Sequence, residues 1–212
     1  MSISRIDVAI PTEGALVDGT LMVPSNPRGV VIFAHGSGSS RFSPRNAYVA
    51  DVLQKESIAT LQIDLLTDQE DANPEARFDI ALLSTRLMDI TRWVASQALT
   101  RHLPIGYFGA STGAAAALKA AARLGDIIDV IVSRGGRPDL AGDECLESVV
   151  APTLLMVGGK DDVVITLNRA AIEKLHCEKQ ILIVPGATHL FEEPGALEQV
   201  ARFSADWFVR RF

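Results

Sequence analysis

Cysteine is nearly absent: the 212 residues hold two, Cys145 and Cys177, with no CxxC spacing. That excludes a disulfide scaffold, leaves a thiolate metal site or dithiol motif without support, and predicts two free thiols, one or both buried. No apolar run approaches the ~20 residues of a membrane-spanning helix. Residues 1–10 carry Arg5 and Asp7 where a signal peptide would need an apolar core. These two absences set a cytoplasmic expectation with no membrane partner. Positive charge is in deficit, with 20 Lys and Arg against 26 Asp and Glu for a net charge of -6. The chain shows no basic face of the kind nucleic acid requires and no long block of like charge. The balance says little about a neutral small-molecule substrate.

What is present reads as one domain over residues 1–212. The composition is 48% hydrophobic, enough at this length for a full core. Short β-branched runs at 29–34, 58–63, 105–108, 127–133, 153–157 and 180–184 are continuously apolar, as befits strands covered on both faces. Helical patterns at 45–56, 78–97, 112–124, 167–175 and 196–210 alternate with them. Two earlier strands, 4–10 and 19–23, are expected to form an antiparallel edge around a turn at 13–18. The fold class is therefore α/β, a doubly wound, mostly parallel sheet of about eight strands flanked by helices. The polar, acidic stretch 65–75 reads as a loop leaving the carboxyl end of a strand, the edge where open α/β sheets bind ligands. In the last helix, Trp207 and Phe208 are expected to pack on the sheet.

Gly109-Ala110-Ser111-Thr112-Gly113 matches G-x-S-x-G, and its context gives the match meaning. It follows the strand at 105–108 and opens an alanine-rich helix, the strand–turn–helix setting of a nucleophile elbow. Small neighbours relieve crowding at such a turn, and the helix start offers free N–H groups to developing negative charge. The second Gly/Ser-rich turn, His35-Gly36-Ser37-Gly38-Ser39-Ser40, follows the strand 29–34 directly. Its position assigns Ser37 N–H to an oxyanion hole with Thr112 N–H as the second donor. His35 reads as a brace for that turn.

A serine hydroxyl needs a base, and the base needs an orienting acid. Of the four histidines, His102 and His176 fall at the wrong end of the sheet, and His35 belongs to the oxyanion turn. His189 lies just past the last strand, at the right end. The acid is sought between serine and histidine, where Gly158-Gly159-Lys160-Asp161-Asp162 follows a strand. Asp161 fits G-x-x-D-x-x-V from Gly158 to Val164 and is favoured over Asp162, which is expected to cap the next helix. Arg134 and Arg137 follow a strand at the same edge, and Arg41 and Arg45 flank the oxyanion turn. Each is a candidate to hold a substrate carboxylate. No metal or organic cofactor is called for.

These residues together resemble the α/β-hydrolase superfamily over nearly the whole chain, in its order Ser111, Asp161, His189. The segments HGSGSSRFSPRN, GASTGAAAAL, SRGGRPDLAG and VGGKDDVV are similar to small, lidless dienelactone-hydrolase-like proteins. Dienelactone hydrolases proper carry a cysteine nucleophile, and here Ser111 stands in its place. The resemblance thus implies hydrolysis of small carboxylic esters by an acyl-enzyme route. The alternatives are a lactonase, thioesterase or acyltransferase on the same triad, or a ligand-binding protein on a hydrolase scaffold. Only residues 134–151 separate two of the strands, too few for the lid domain of larger members.

Overall fold

Side chains of a strand alternate between the two faces of its sheet, and in β3 (Gly29–Ala34) both faces are buried. Val30 and Ile32 join one apolar cluster, Val31 and Phe33 the other. The computed structural model describes residues 2–212 and arranges this strand near the middle of an eight-stranded sheet. The strands are β1 (Ile3–Thr12), β2 (Ala15–Pro24), β3, β4 (Ile58–Ile63), β5 (Ile105–Ala110), β6 (Val130–Arg134), β7 (Thr153–Gly158) and β8 (Lys179–Val184). They stand in the order β1-β2-β4-β3-β5-β6-β7-β8. β2 is antiparallel to both its neighbours, β1 and β4, and β3 to β8 run parallel.

The helices are α1 (Pro44–Lys55), α2 (Asp68–Asp71), α3 (Ile80–Ser96), α4 (Thr112–Leu124), α5 (Asp143–Ser148), α6 (Asp162–Lys174) and α7 (Ala196–Val209). α1 and α7 cover one face, with Val49, Leu53, Val200 and Phe208 buried there. α3 and α4 cover the other, through Leu83, Leu87, Ile90 and the alanines 115–117. Trp207 and Phe208 do pack on the sheet. No described helix is long and apolar enough to cross a membrane. Both cysteines are free thiols and half-buried. β3 has β4 on one side and β5 on the other, so the chain reverses its winding direction between β3 and β5. Such a switch point opens a crevice at the carboxyl edge of the sheet, and both Gly/Ser turns of the sequence arrive there.

Several boundaries differ from the sequence reading for local reasons. β6 begins at Val130, because Gly125–Ile127 closes a 3-10 turn after α4. The hairpin turn shrinks to Glu13 and Gly14, with the glycine at φ 71°, and residues 15–18 join β2. α6 begins five residues earlier than expected, directly after Asp161.

The stretch 65–75 is more than a loop, because it contains α2. Thr67 and Glu70 form a reciprocal capping box, with Glu70 accepting the Thr67 N–H at 2.8 Å. Glu70 also takes both terminal nitrogens of Arg86 at 2.6 Å, and Arg86 Nη1 donates to the Leu65 carbonyl at 2.9 Å. Arg86 is 1% exposed on α3, so its charge is compensated by that one carboxylate. This fork pins the acidic segment over the crevice.

The Arg86 hydrogen bonds, opposed by partial burial, hold the Glu70 carboxyl down to about 2, against 4.5 ordinarily. A depressed carboxyl contributes stability above its unfolded value and loses it as pH falls through the folded value. Glu70→Gln should destabilise by about 1–3 kcal/mol at pH 7, less than a fully buried pair because Glu70 is partly exposed. The difference from wild type should shrink as pH falls from about 4.5 towards 2. Denaturant midpoints of both proteins measured across that range check this, and a gap independent of pH would contradict it.

Candidate active site

The turn from β5 into α4 places Ser111 at φ 50° and ψ -120°, a left-handed conformation that a residue with a side chain adopts only under constraint. The constraint is visible in the packing. The Ser111 N–H donates to the Arg134 carbonyl at 3.2 Å, and its own carbonyl accepts from Ala114 and Arg137 N–H at 3.1 Å. A β-carbon at Gly113 would sit 2.2 Å from the Ala34 carbonyl oxygen and 2.4 Å from that of His35. One at Gly109 would lie 2.5 Å from Ala114 Cα. Both flanking glycines are therefore required by close approach of backbone to backbone. The serine is left partly exposed where α4 starts, and the Thr112 N–H, first in the helix, has no intrahelical acceptor.

The second group comes from the loops after β7 and β8. His189 Nδ1 donates to Asp161 Oδ2 at 2.6 Å. The two loops are tied together by backbone bonds from Lys160 N–H to the Ala187 carbonyl at 2.9 Å and from Gly159 N–H to the Val184 carbonyl at 2.8 Å. With its Nδ1 proton committed to a carboxylate, the neutral ring presents an unprotonated Nε2, the basic nitrogen. His189 reaches the serine's side of the edge: a β-carbon at Gly135, next to the residue that anchors Ser111, would meet His189 Cε1 at 3.4 Å. Of the two candidate acids it is Asp161 that meets the histidine, while Asp162 is exposed in the first turn of α6. Neither side chain caps that helix, contrary to the role expected for Asp162. Asp161 occupies the capping position, but its carboxylate is turned to His189.

The turn after β3 brings Ser37 beside Thr112. The Ser37 N–H donates to Thr112 Oγ1 at 2.9 Å. His35 is 7% exposed and braces two loops, with Nδ1 donating to the Gly36 carbonyl at 3.0 Å and Nε2 accepting the Leu65 N–H at 3.1 Å. The acceptor role of Nε2 identifies the neutral Nδ1–H tautomer. The turn that faces the serine is thus fastened to the segment held by Arg86.

The candidate arginines separate cleanly. Arg137 forks onto Asp139, at 2.9 and 2.7 Å. Arg41 is bound to Asp64, which also accepts the Arg41 backbone N–H at 2.7 Å. Both are neutralised within the protein. Arg134 differs: it is 8% exposed, and its Nε and Nη1 are buried with no hydrogen-bond partner among the described residues. Burial, reinforced by the like charge of Arg45, pulls it down to about 10, still cationic at neutral pH. Arg45, at the start of α1, binds Glu192 at 2.9 Å through one nitrogen while its Nε stays buried without a partner among the described residues. The sequence ranked these four arginines alike, since the presence of an acid two or twenty residues away does not reveal which guanidinium it meets. The Glu70–Arg86 fork had a readable half, the spacing Thr67-x-x-Glu70, and an unreadable one, a buried arginine on a distant helix.

No protein-family model matches the chain. Two proteins of Mycobacterium tuberculosis, each named "putative phosphoribosyl transferase", are 60% identical over 193 residues, which is 91% of this chain and 43% of theirs. The chain thus spans less than half the length of these curated relatives. Among solved structures, a dienelactone hydrolase from Anabaena variabilis is 49% identical, with a TM-score of 0.96 and 99% of each chain covered. Est1E from Butyrivibrio proteoclasticus shares the fold at 16% identity, with a TM-score of 0.83 over 97% of this chain and 98% of that one. With a sheet of this order, an elbow at its switch point and near-complete coverage by the Anabaena protein, the chain belongs to the dienelactone-hydrolase-like α/β-hydrolases.

Proposed function

We propose that this hydrolase cleaves small carboxylic esters through a covalent intermediate on Ser111, with His189 as base and Asp161 orienting it. The observation that carries the reading is the 2.6 Å Asp161–His189 bond at the edge where Ser111 is held at φ 50°. That bond sets the tautomer and stabilises the imidazolium that forms during reaction. As Ser111 Oγ attacks the ester carbonyl, the new O–C bond forms and the carbonyl π pair moves onto oxygen. The serine proton passes to His189 Nε2. Collapse expels the alcohol, which receives that proton. Water then attacks the acyl-serine, giving its proton to His189; the Ser111 Oγ–C bond breaks, His189 returns that proton to Ser111 Oγ, and the acid leaves. A proton carrier used twice in this way suits acyl transfer, so the name of the much longer Mycobacterium proteins is not extended to this chain.

The test is labelling with a fluorophosphonate, which reports an activated serine. Wild type should label and turn over 4-nitrophenyl esters, and Ser111→Ala should do neither while keeping its melting temperature or raising it. Turnover retained by Ser111→Ala would sink the assignment.

We further propose that the favoured ester carries an anionic group received by Arg134. A buried cation without an acid costs free energy that a bound carboxylate would return, and its neighbour Arg45 adds to the positive field rather than cancelling it. Wild type should prefer mono-4-nitrophenyl succinate to 4-nitrophenyl butyrate. Arg134→Met should lower kcat/KM for the succinate about 10–100-fold, the equivalent of a charged hydrogen bond. The butyrate should be little affected, and stability should hold, because an apolar side chain of similar length replaces an uncompensated charge. An equal loss on both esters would make Arg134 a structural residue.

A further inference from the structure

The amide expected to serve the oxyanion is already engaged. Ser37 N–H points at the Thr112 hydroxyl, 2.9 Å away, and Thr112 is 1% exposed. It follows Ser111 directly in the chain. Across from it, Gly36 packs so closely on the elbow that a β-carbon there would lie 2.9 Å from Ser111 Cβ and 3.1 Å from the Ala110 carbonyl oxygen. A hydroxyl accepts and also donates. Having accepted the Ser37 N–H, Thr112 Oγ1 still has one hydrogen to place. A threonine inside a helix gives it to the carbonyl one turn back, as Thr91 does to Leu87 at 2.7 Å and Thr166 to Asp162 at 3.0 Å. Thr112 is the first residue of α4, so the carbonyl four residues back, that of Phe108, lies in β5 and serves the sheet.

We propose that the Thr112 hydroxyl is itself an oxyanion donor. It accepts the Ser37 N–H and gives its own O–H to the carbonyl oxygen that becomes negative when Ser111 attacks, alongside the Thr112 backbone N–H. The chain N–H to hydroxyl to oxyanion is polarised in one direction, so each bond strengthens the next. The role of Ser37 then changes from direct donor to the group that aims and polarises the donor. This inference rests on Ser111 being the nucleophile.

Thr112→Val and Thr112→Ser test it, assayed on 4-nitrophenyl acetate beside fluorophosphonate labelling. Valine keeps the shape and removes the hydroxyl. It should lower kcat by about 10²–10³, the usual loss for one oxyanion donor, with KM within a few-fold and slower fluorophosphonate labelling. Serine restores a hydroxyl and should recover most of kcat. Equal melting temperatures for valine variant and wild type would place the loss in the chemistry. A valine variant with unchanged or higher kcat would overturn the proposal, since the hydroxyl would then only be occupying an amide that works better when released. A serine variant as slow as valine would overturn it as well, by assigning the effect to the methyl packing. Failure of the wild type to label would instead remove the nucleophile reading, and this proposal with it.

Discussion

The carbonyls of Ala34 and His35 lie closer to the Cα of Gly113 than any side chain would permit, and most of the site depends on that contact. It lets α4 enter beside the end of β3 and so brings two turns from separate strands into one crevice. The elbow's backbone is then over-determined, by this packing and by the bonds that Ser111 makes to Arg134, Ala114 and Arg137. Once the turn is fixed, the other groups arrive through loops of the same edge. Asp161 comes after β7 and His189 after β8, joined by two backbone bonds before their side chains meet.

How much of this was legible in the sequence depends on the range of the signal. Strands β3 and β4 and helix α4 were readable to the residue, because short apolar, β-branched runs and an alanine-rich segment after an elbow are local patterns. The spacing to Gly158 and Val164 singled out Asp161, the aspartate whose carboxylate meets His189. The start of α6 was less readable, since Asp161 opens the helix while its carboxylate bonds elsewhere. α2 went unread although Thr67-x-x-Glu70 is a capping box, because the acidic composition around it outweighed the motif. The sorting of the arginines was beyond reach. Arg137 meets Asp139 two residues away, Arg41 meets Asp64 past the end of the neighbouring strand, and Arg134 Nε and Nη1 have no partner among the described residues. Only the fold decides which of these pairs form.

Charge in this protein is arranged so that nearly every cation near the crevice has a counterion. Arg86 has Glu70, Arg41 has Asp64, and Arg77 has Asp71. These pairs fasten the acidic segment over the turn after β3, and His35 continues the connection by joining that turn to Leu65. Arg134 stands out against this background, at the strand end whose carbonyl also anchors the serine.

The serine at φ 50° has one further consequence. A non-glycine residue held in that region costs on the order of 1–3 kcal/mol, a sizeable share of the roughly 5–15 kcal/mol that separates a folded domain from its unfolded chain. Glycine would relax the turn and discard the hydroxyl. Under the mechanism proposed above, fold and reaction make opposite demands on this one residue, and selection for thermal stability alone would drive the position towards glycine.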